Sequence, residues 1–93
     1  MIKTFKCKEA ERLFNGRFSR KLPKNFQRAV ARKLEMLTAA NELNSLRIPP
    51  SNRLERLKGN RAGQYSIRIN DQWRICFTWK NGDSYDVEIV DYH

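Results

Sequence analysis

Lys58, Arg61, Arg68, Arg74, Tyr92 and His93 have side chains suited to holding and breaking a phosphodiester. Together they supply cations, a phenol and an imidazole. The sole histidine is the last residue, directly behind Asp91 and Tyr92, and imidazole is the natural proton carrier near neutral pH. Lys58 stands in Leu57-Lys58-Gly59-Asn60-Arg61, just before a turn from which its amine and the Arg61 guanidinium can swing to one face. These groups suit RNA cleavage, in which the ribose 2′-OH attacks the adjacent phosphate and the enzyme need supply neither nucleophile nor metal. A base takes the 2′ proton, cations stabilise the phosphorane charge, and an acid protonates the leaving 5′ oxygen. Acid–base help is worth about 10²–10⁴-fold, and stabilisation of the developing charge is often the larger effect. The set holds no carboxylate pair of metal-site character, no glycine-rich phosphate cradle and no nucleophile motif, so it calls for no metal or cofactor.

The elements that must position these residues are contained in 93 residues, a length that predicts one domain over 1–93. A hydrophobic fraction of 40% with 11% aromatics is enough for a core. The net charge of +9 is unevenly spread. Residues 1–50 carry +8 and residues 51–80 carry +5, whereas residues 81–93 hold four acids and no Lys or Arg. A basic body attracts polyanions by neutralising phosphates, although Lys and Arg on helices are as often a solvated face. Two cysteines and one histidine exclude a disulfide framework or a four-ligand zinc site built from this chain alone. No apolar run approaches the roughly 20 residues of a membrane span. The opening Met1-Ile2-Lys3-Thr4-Phe5-Lys6 lacks the apolar stretch of a signal peptide. The expectation is a cytoplasmic domain with reduced cysteines.

Residues 2–5 read as a short first strand. Residues 8–15 place Ala10, Leu13 and Phe14 at helical spacing, with Gly16 as a stop. Pro23 opens a second helix with Phe26, Ala29, Val30, Leu34 and Leu37 on one face and Gln27, Arg28, Arg32 and Glu35 on the other. Asn41 is a plausible N-cap for a further turn carrying Leu43 and Leu46. Pro49-Pro50-Ser51-Asn52 closes the helical half. Thereafter the period is two. Tyr65, Ile67 and Ile69 oppose Gln64, Ser66 and Arg68; Trp73, Ile75, Phe77 and Trp79 oppose Arg74, Cys76 and Thr78; Tyr85, Val87 and Ile89 oppose Asp86, Glu88 and Val90. The two tryptophans therefore read as core and not as base-stacking platforms. Helices followed by a meander of strands predict an α+β fold, an antiparallel sheet of about four to five strands with two to three helices on one face.

Apolar faces of neighbouring strands must coincide. A three-residue loop, Asn70 to Gln72, sets Ile67 opposite Ile75 and Arg68 opposite Arg74. A three-residue loop ending in Gly82 sets Phe77 opposite Tyr85 and Arg74 opposite Glu88, with Tyr92 on the same polar face. Two guanidiniums face to face cost about 0.2–1 kcal/mol. Either Glu88 neutralises them in a surface charge ladder, or an anion occupies the space; the planar fork of arginine suits phosphate.

The stretch 57–77, with its Gln72-Trp73-Arg74-Ile75-Cys76-Phe77 core, and the ending Val90-Asp91-Tyr92-His93 resemble the HigB, or plasmid-maintenance killer, toxins of the RelE superfamily. Residues 1–5 and 47–52 look similar too, so the resemblance covers essentially the whole chain. It implies a microbial RNase fold and a toxin of a type II toxin–antitoxin system. Such a toxin cleaves mRNA without metal in the ribosomal A site and inhibits growth. It is silenced by a HigA-like helix-turn-helix antitoxin, through which alone it touches operator DNA. By that resemblance Arg74 stabilises the scissile phosphate, Lys58 binds or stabilises phosphate, and Asp91, Tyr92 and His93 form a catalytic tail. Arg56, Arg61 and Arg68 are added as RNA- or phosphate-binding candidates on charge. Some relatives carry a further histidine just before the Leu-Lys-Gly turn, where this chain has Glu55 and Arg56, which leaves the general base open. The basic helical residues Arg20, Lys21, Lys24, Arg28, Arg32 and Lys33 form a solvated face, a track for ribosomal RNA, or a seat for an acidic antitoxin segment. The competing functional reading is a catalytically idle RNA- or DNA-binding module, or a corepressor that acts only with its antitoxin.

Overall fold

The computed structural model describes residues 1–91; Tyr92 and His93, two members of the expected catalytic tail, lie outside the described residues. Helix α1 (Lys8–Phe14) starts where Cys7 adopts extended backbone and its Sγ accepts the Ala10 N–H at 3.4 Å, which satisfies one of the orphan donors of a first turn. It buries Ala10 and Leu13. Helix α2 (Lys24–Ala39) follows Pro23 and buries Val30, Leu34 and Leu37 in a stripe of three- to four-residue spacing. Gln27 is fully buried on this helix, contrary to the polar-face expectation. Its Oε1 accepts the Ser19 N–H at 2.6 Å, and Nε2 donates to the Ser19 and Leu22 carbonyls, each at 2.7 Å. A fully bonded amide can be buried at little cost, and this one closes the loop between the helices. The turn carrying Leu46 is a 3₁₀ helix (Leu43–Arg47) whose N-cap is Glu42, one residue after the expected Asn41. A second 3₁₀ turn, Pro50–Asn52, ends at Arg53 in left-handed backbone with φ 43°.

The strands are β1 (Glu55–Arg56), β2 (Gln64–Arg68), β3 (Trp73–Lys80) and β4 (Asp83–Asp91), paired antiparallel in the order β1-β2-β3-β4. The expected α+β architecture is present, with Leu13, Val30, Leu34 and Leu37 of the helices packed in one cluster with Ile67, Ile75, Phe77 and Val87. Trp73 and Trp79 are half-buried against that cluster, their rings 5.6 Å from Phe26 and 6.4 Å from Phe77. Residues 2–5 form no strand of the sheet. They run parallel to β4 through isolated bridges, Ile2 to Ser84 and Phe5 to Val87.

The β2–β3 hairpin has the expected register, including Ile67 opposite Ile75 and Arg68 opposite Arg74. The β3–β4 hairpin does not. Lys80 pairs with Asp83 across a two-residue turn in which Asn81 (φ 53°) and Gly82 (φ 81°) are both left-handed, the backbone of the type I′ turns that Asn-Gly favours. Tyr85 thus faces Thr78 and not Phe77. A bulge then restores the phase: Asp86 takes φ 53°, and its N–H is bonded at 2.8 Å by Thr4 Oγ1 from the N-terminal segment. Beyond it Cys76 faces Glu88, Ile75 faces Ile89, and Arg74 faces Val90. The expected pairing of Arg74 with Glu88 is therefore corrected by two residues.

Candidate active site

Arg74 is the centre of the polar face of the sheet and is only 7% exposed. Its Nε donates to Ser66 Oγ at 2.7 Å, and its Nη2 donates to the Arg53 carbonyl at 2.5 Å and the Ser66 carbonyl at 3.4 Å. Ser66 sits opposite Cys76, diagonally across from Arg74 in the β2–β3 ladder. Arg53 supplies its carbonyl from left-handed backbone at the end of the Pro50–Asn52 turn. That conformation costs a non-glycine residue about 1 kcal/mol or more. Because the guanidinium is planar, bonds at two of its nitrogens fix the plane of the whole fork. The consequence is a positive charge with its orientation set in advance.

Lys58 and Arg61 flank a 3₁₀ turn (Gly59–Arg61), with the Arg61 N–H bonded to the Lys58 carbonyl at 3.2 Å. Lys58 is exposed. Arg61 Nη1 donates to Gln64 Oε1 at 3.1 Å and to Glu88 Oε2 at 3.4 Å. The same Glu88 oxygen lies 3.4 Å from Lys6 Nζ. The Cys76 thiol beneath is pushed up from its ordinary pKa, first by burial and further by Glu88, while Arg61 and Arg74 pull it down. Arg61, Glu88 and Arg74 are thus gathered around one buried thiol.

Arg68 faces Arg74 as expected, but it is neutralised locally, its Nη2 bonded to the Asp71 carboxylate in the turn and not to Glu88. Lys33 of α2 donates to Asn52 Oδ1. Burial lowers the Lys33 pKa, and the neighbouring charges of Arg32 and Arg68 add to that shift. Asp91 ends β4 opposite Trp73, one residue along the ladder from Arg74, and accepts Gln72 Nε2 at 3.2 Å. Arg56 also stands apart. It pairs with Tyr65, in the rows of the opposite, helix-covered face, and is not gathered with Arg74. The structure therefore brings Arg61, Arg68 and Arg74 to one face, and leaves Arg56 and Asp91, each paired in a row of the helix-covered face, outside it. Tyr92 and His93 lie outside the described residues.

Ser66, the Arg53 carbonyl and Lys6 escaped the sequence reading, and Glu88, read there as a neutraliser of Arg68 and Arg74, meets Arg61 and Lys6 instead. Ser66 alone carried a local signal, a small hydroxyl on the polar face one row from Arg74. A separate apolar cleft of about 370 Å³ is lined by Cys7, Leu22, Phe26, Trp73 and Ile89 among others; among the described residues, none of the expected site residues lines it.

Comparisons with known proteins identify the family and the fold. The family described as RelE-like toxin of type II toxin–antitoxin system HigB matches residues 3–93. Toxin HigB-1 of Vibrio cholerae serotype O1 is 43% identical over 83 residues, 88% of this chain and 87% of that protein. Endoribonuclease HigB of Proteus vulgaris is 34% identical over 93 residues, the full length of both. Among solved structures, the YoeB–YefM toxin–antitoxin complex from Staphylococcus aureus superposes with a TM-score of 0.63 at 19% identity, covering 100% of this chain and 98% of that one. At that identity the likeness is one of fold.

Proposed function

The chain belongs to the HigB family of RelE-like toxins of type II toxin–antitoxin systems, and from that membership we propose that it is an endoribonuclease cutting messenger RNA on the ribosome. In this reading the cut needs no metal, translation and growth stop, and a helix-turn-helix antitoxin of the HigA kind neutralises the toxin. The observation that carries the reading is the Arg74 cradle: a buried guanidinium with its fork held by Ser66 and Arg53, on the face that also carries Arg61 and Arg68.

The 2′ oxygen attacks the phosphorus, and its proton passes to a base. The bond to the 5′ oxygen breaks, and that oxygen takes a proton from an acid, leaving a 2′,3′-cyclic phosphate that water can open to a 3′-phosphate. Arg74 stabilises the charge that grows on the non-bridging oxygens, where a pre-oriented donor is worth about 10²–10³-fold. Lys58, exposed at the head of the 3₁₀ turn, adds a mobile cation to the same phosphate. Asp91, Tyr92 and His93 supply the proton-handling tail, which suits histidine at neutral pH.

Primer extension on a translated message tests this, after induction of the wild type and of Arg74→Ala. Discrete cuts that vanish in the variant are the expected result. Cuts that persist in Arg74→Ala remove the central residue, and a wild type that makes no cuts favours the idle binding module. A chain shortened by Tyr92 and His93 is expected to lose toxicity while still binding its antitoxin; if the shortened chain unfolds, the tail is structural.

A further inference from the structure

We propose that Lys33 is a positioning residue for the cleavage reaction, acting through Asn52 and the Arg53 carbonyl to set the guanidinium of Arg74. This role rests on the nuclease reading and deepens it by extending the site from the sheet to helix α2. The path is short. Lys33 Nζ donates to Asn52 Oδ1, Arg53 is the next residue in the chain, and its carbonyl accepts Arg74 Nη2 at 2.5 Å.

Between Leu46 and Leu54, which both pack on the core, the segment lies mostly at the surface. Arg47, Ile48, Pro50, Ser51 and Arg53 are exposed and Pro49 is half-buried, whereas Asn52 is fully buried. The Arg53 carbonyl thus lies between two anchors, the Asn52 amide and the Leu54 side chain. Two bonds of that amide are local: Nδ2 donates to the Leu46 carbonyl at 3.1 Å and the Ile48 carbonyl at 3.5 Å. They fold the segment on itself without placing it against a helix. Its ties to α2 are Lys33 at Oδ1 and Met36, whose Sδ lies 3.0 Å from Nδ2. A thioether is a weak acceptor and a bond from an ammonium a strong one, so Lys33 supplies the firmer tie. Arg53 needs such a tie, because left-handed backbone at φ 43° persists only where its surroundings hold it. Relaxation there turns the carbonyl away from Arg74. Packing alone does not call for an ammonium at this place. Burial lowers the Lys33 pKa, the charges of Arg32 and Arg68 lower it further, and among the described residues no carboxylate pairs with it. A methionine would fill the same space at lower cost, but it could not hold the Asn52 oxygen.

The test is single-turnover cleavage of a message programmed on ribosomes, with the full chain in excess over a range of concentrations and rates scaled to the folded fraction from circular dichroism. Lys33→Met is expected to lower the saturating rate about tenfold, the scale of a modest misplacement of a catalytic group, without raising the protein concentration at half-saturation. In an Arg74→Ala background, whose residual rate is followed over longer times, the same substitution is expected to cost nothing further, because residues that act as one unit are not additive. Lys33→Arg, which keeps a charged donor, should recover most of the lost rate. Equal losses in both backgrounds overturn the positioning role and leave the nuclease reading standing. So does a raised half-saturation at an unchanged saturating rate, which would make Lys33 a direct contact of RNA or ribosome. A loss wholly accounted for by the folded fraction, or no loss at all, overturns the role as well. A wild type that makes no cut overturns both. If Lys33→Met does not fold, Lys33→Gln, which retains a polar chain, carries the same comparison.

Discussion

The two faces of the four-stranded sheet are closed by opposite means. On one, Ile67, Ile75, Phe77 and Val87 are fully buried beneath the helices, and the gain is removal of apolar area from water, about 25 cal/mol per Å². On the other, Ser66 and Cys76 are also fully buried and Arg74 is nearly so, under cover that is polar: the Arg53 carbonyl, the Arg61 turn and the Glu88 carboxylate. The first face tolerates any well-shaped apolar contact. The second exists only if each donor finds its acceptor, because an unpaired buried polar group costs about 1–3 kcal/mol. Alternation in a strand thus identifies the apolar side but does not make the other side wet, and here the polar side carries the guanidinium on which the proposed cleavage depends.

Truncation on the apolar face is expected to have the largest effect. Phe77→Ala should lower stability by about 3–5 kcal/mol, read as a shift of the urea midpoint, with activity lost only through unfolding. A loss below that of an ordinary surface substitution would erase the contrast between the faces. Ser66→Ala should cost about 1.5–3 kcal/mol, the range for a hydrogen bond to a charged group. Cleavage by the molecules that remain folded should nevertheless fall at least about tenfold as the Arg74 fork loses its orientation. Equal loss of activity and of folded fraction would mean that Ser66 only holds the fold. Gln27→Leu tests the same rule inside the apolar layer. It strands the Ser19 N–H and two carbonyls, so about 1–3 kcal/mol should be lost with cleavage per folded molecule unchanged.

Legibility followed the same division. The period of two in residues 64–79 was sufficient for the first hairpin, because matching apolar faces there admits one loop length, and Arg68 opposite Arg74 followed. The second hairpin defeated that logic. A two-residue Asn81-Gly82 turn throws the faces out of phase and the bulge at Asp86 puts them back, so face matching alone cannot distinguish this pair of devices from a single three-residue loop. The difference moves Glu88 from Arg74 to Cys76 and makes it a partner of Arg61 and Lys6. Gln27 carried no local signal, since its burial depends on a loop eight residues away. The Arg53 carbonyl is a backbone group, and no side-chain pattern reports where a carbonyl points.

The smallest expected effect concerns the thiol that the polar cover conceals. Cys76 is fully buried on β3, and burial raises its pKa, so it is held as the unreactive thiol. Cys7, half-buried at the start of α1, should therefore be the first alkylated by iodoacetamide in the folded protein, with Cys76 following only in urea. The raised pKa has a thermodynamic counterpart. Above the ordinary thiol range the unfolded chain releases this proton while the folded chain retains it, so stability declines as pH rises through that range. A Cys76→Ala chain should lack that part of the decline, which urea midpoints at neutral and alkaline pH would reveal. Glu88→Ala removes part of the polar cover and should speed Cys76 labelling in the folded state, whereas substitutions on the helix-covered face that preserve folding should leave it unchanged. If Cys76 labels as fast as Cys7 in the intact fold, the polar face is open to solvent, and the closure by hydrogen bonds argued from Ser66, Arg53 and Arg74 does not hold.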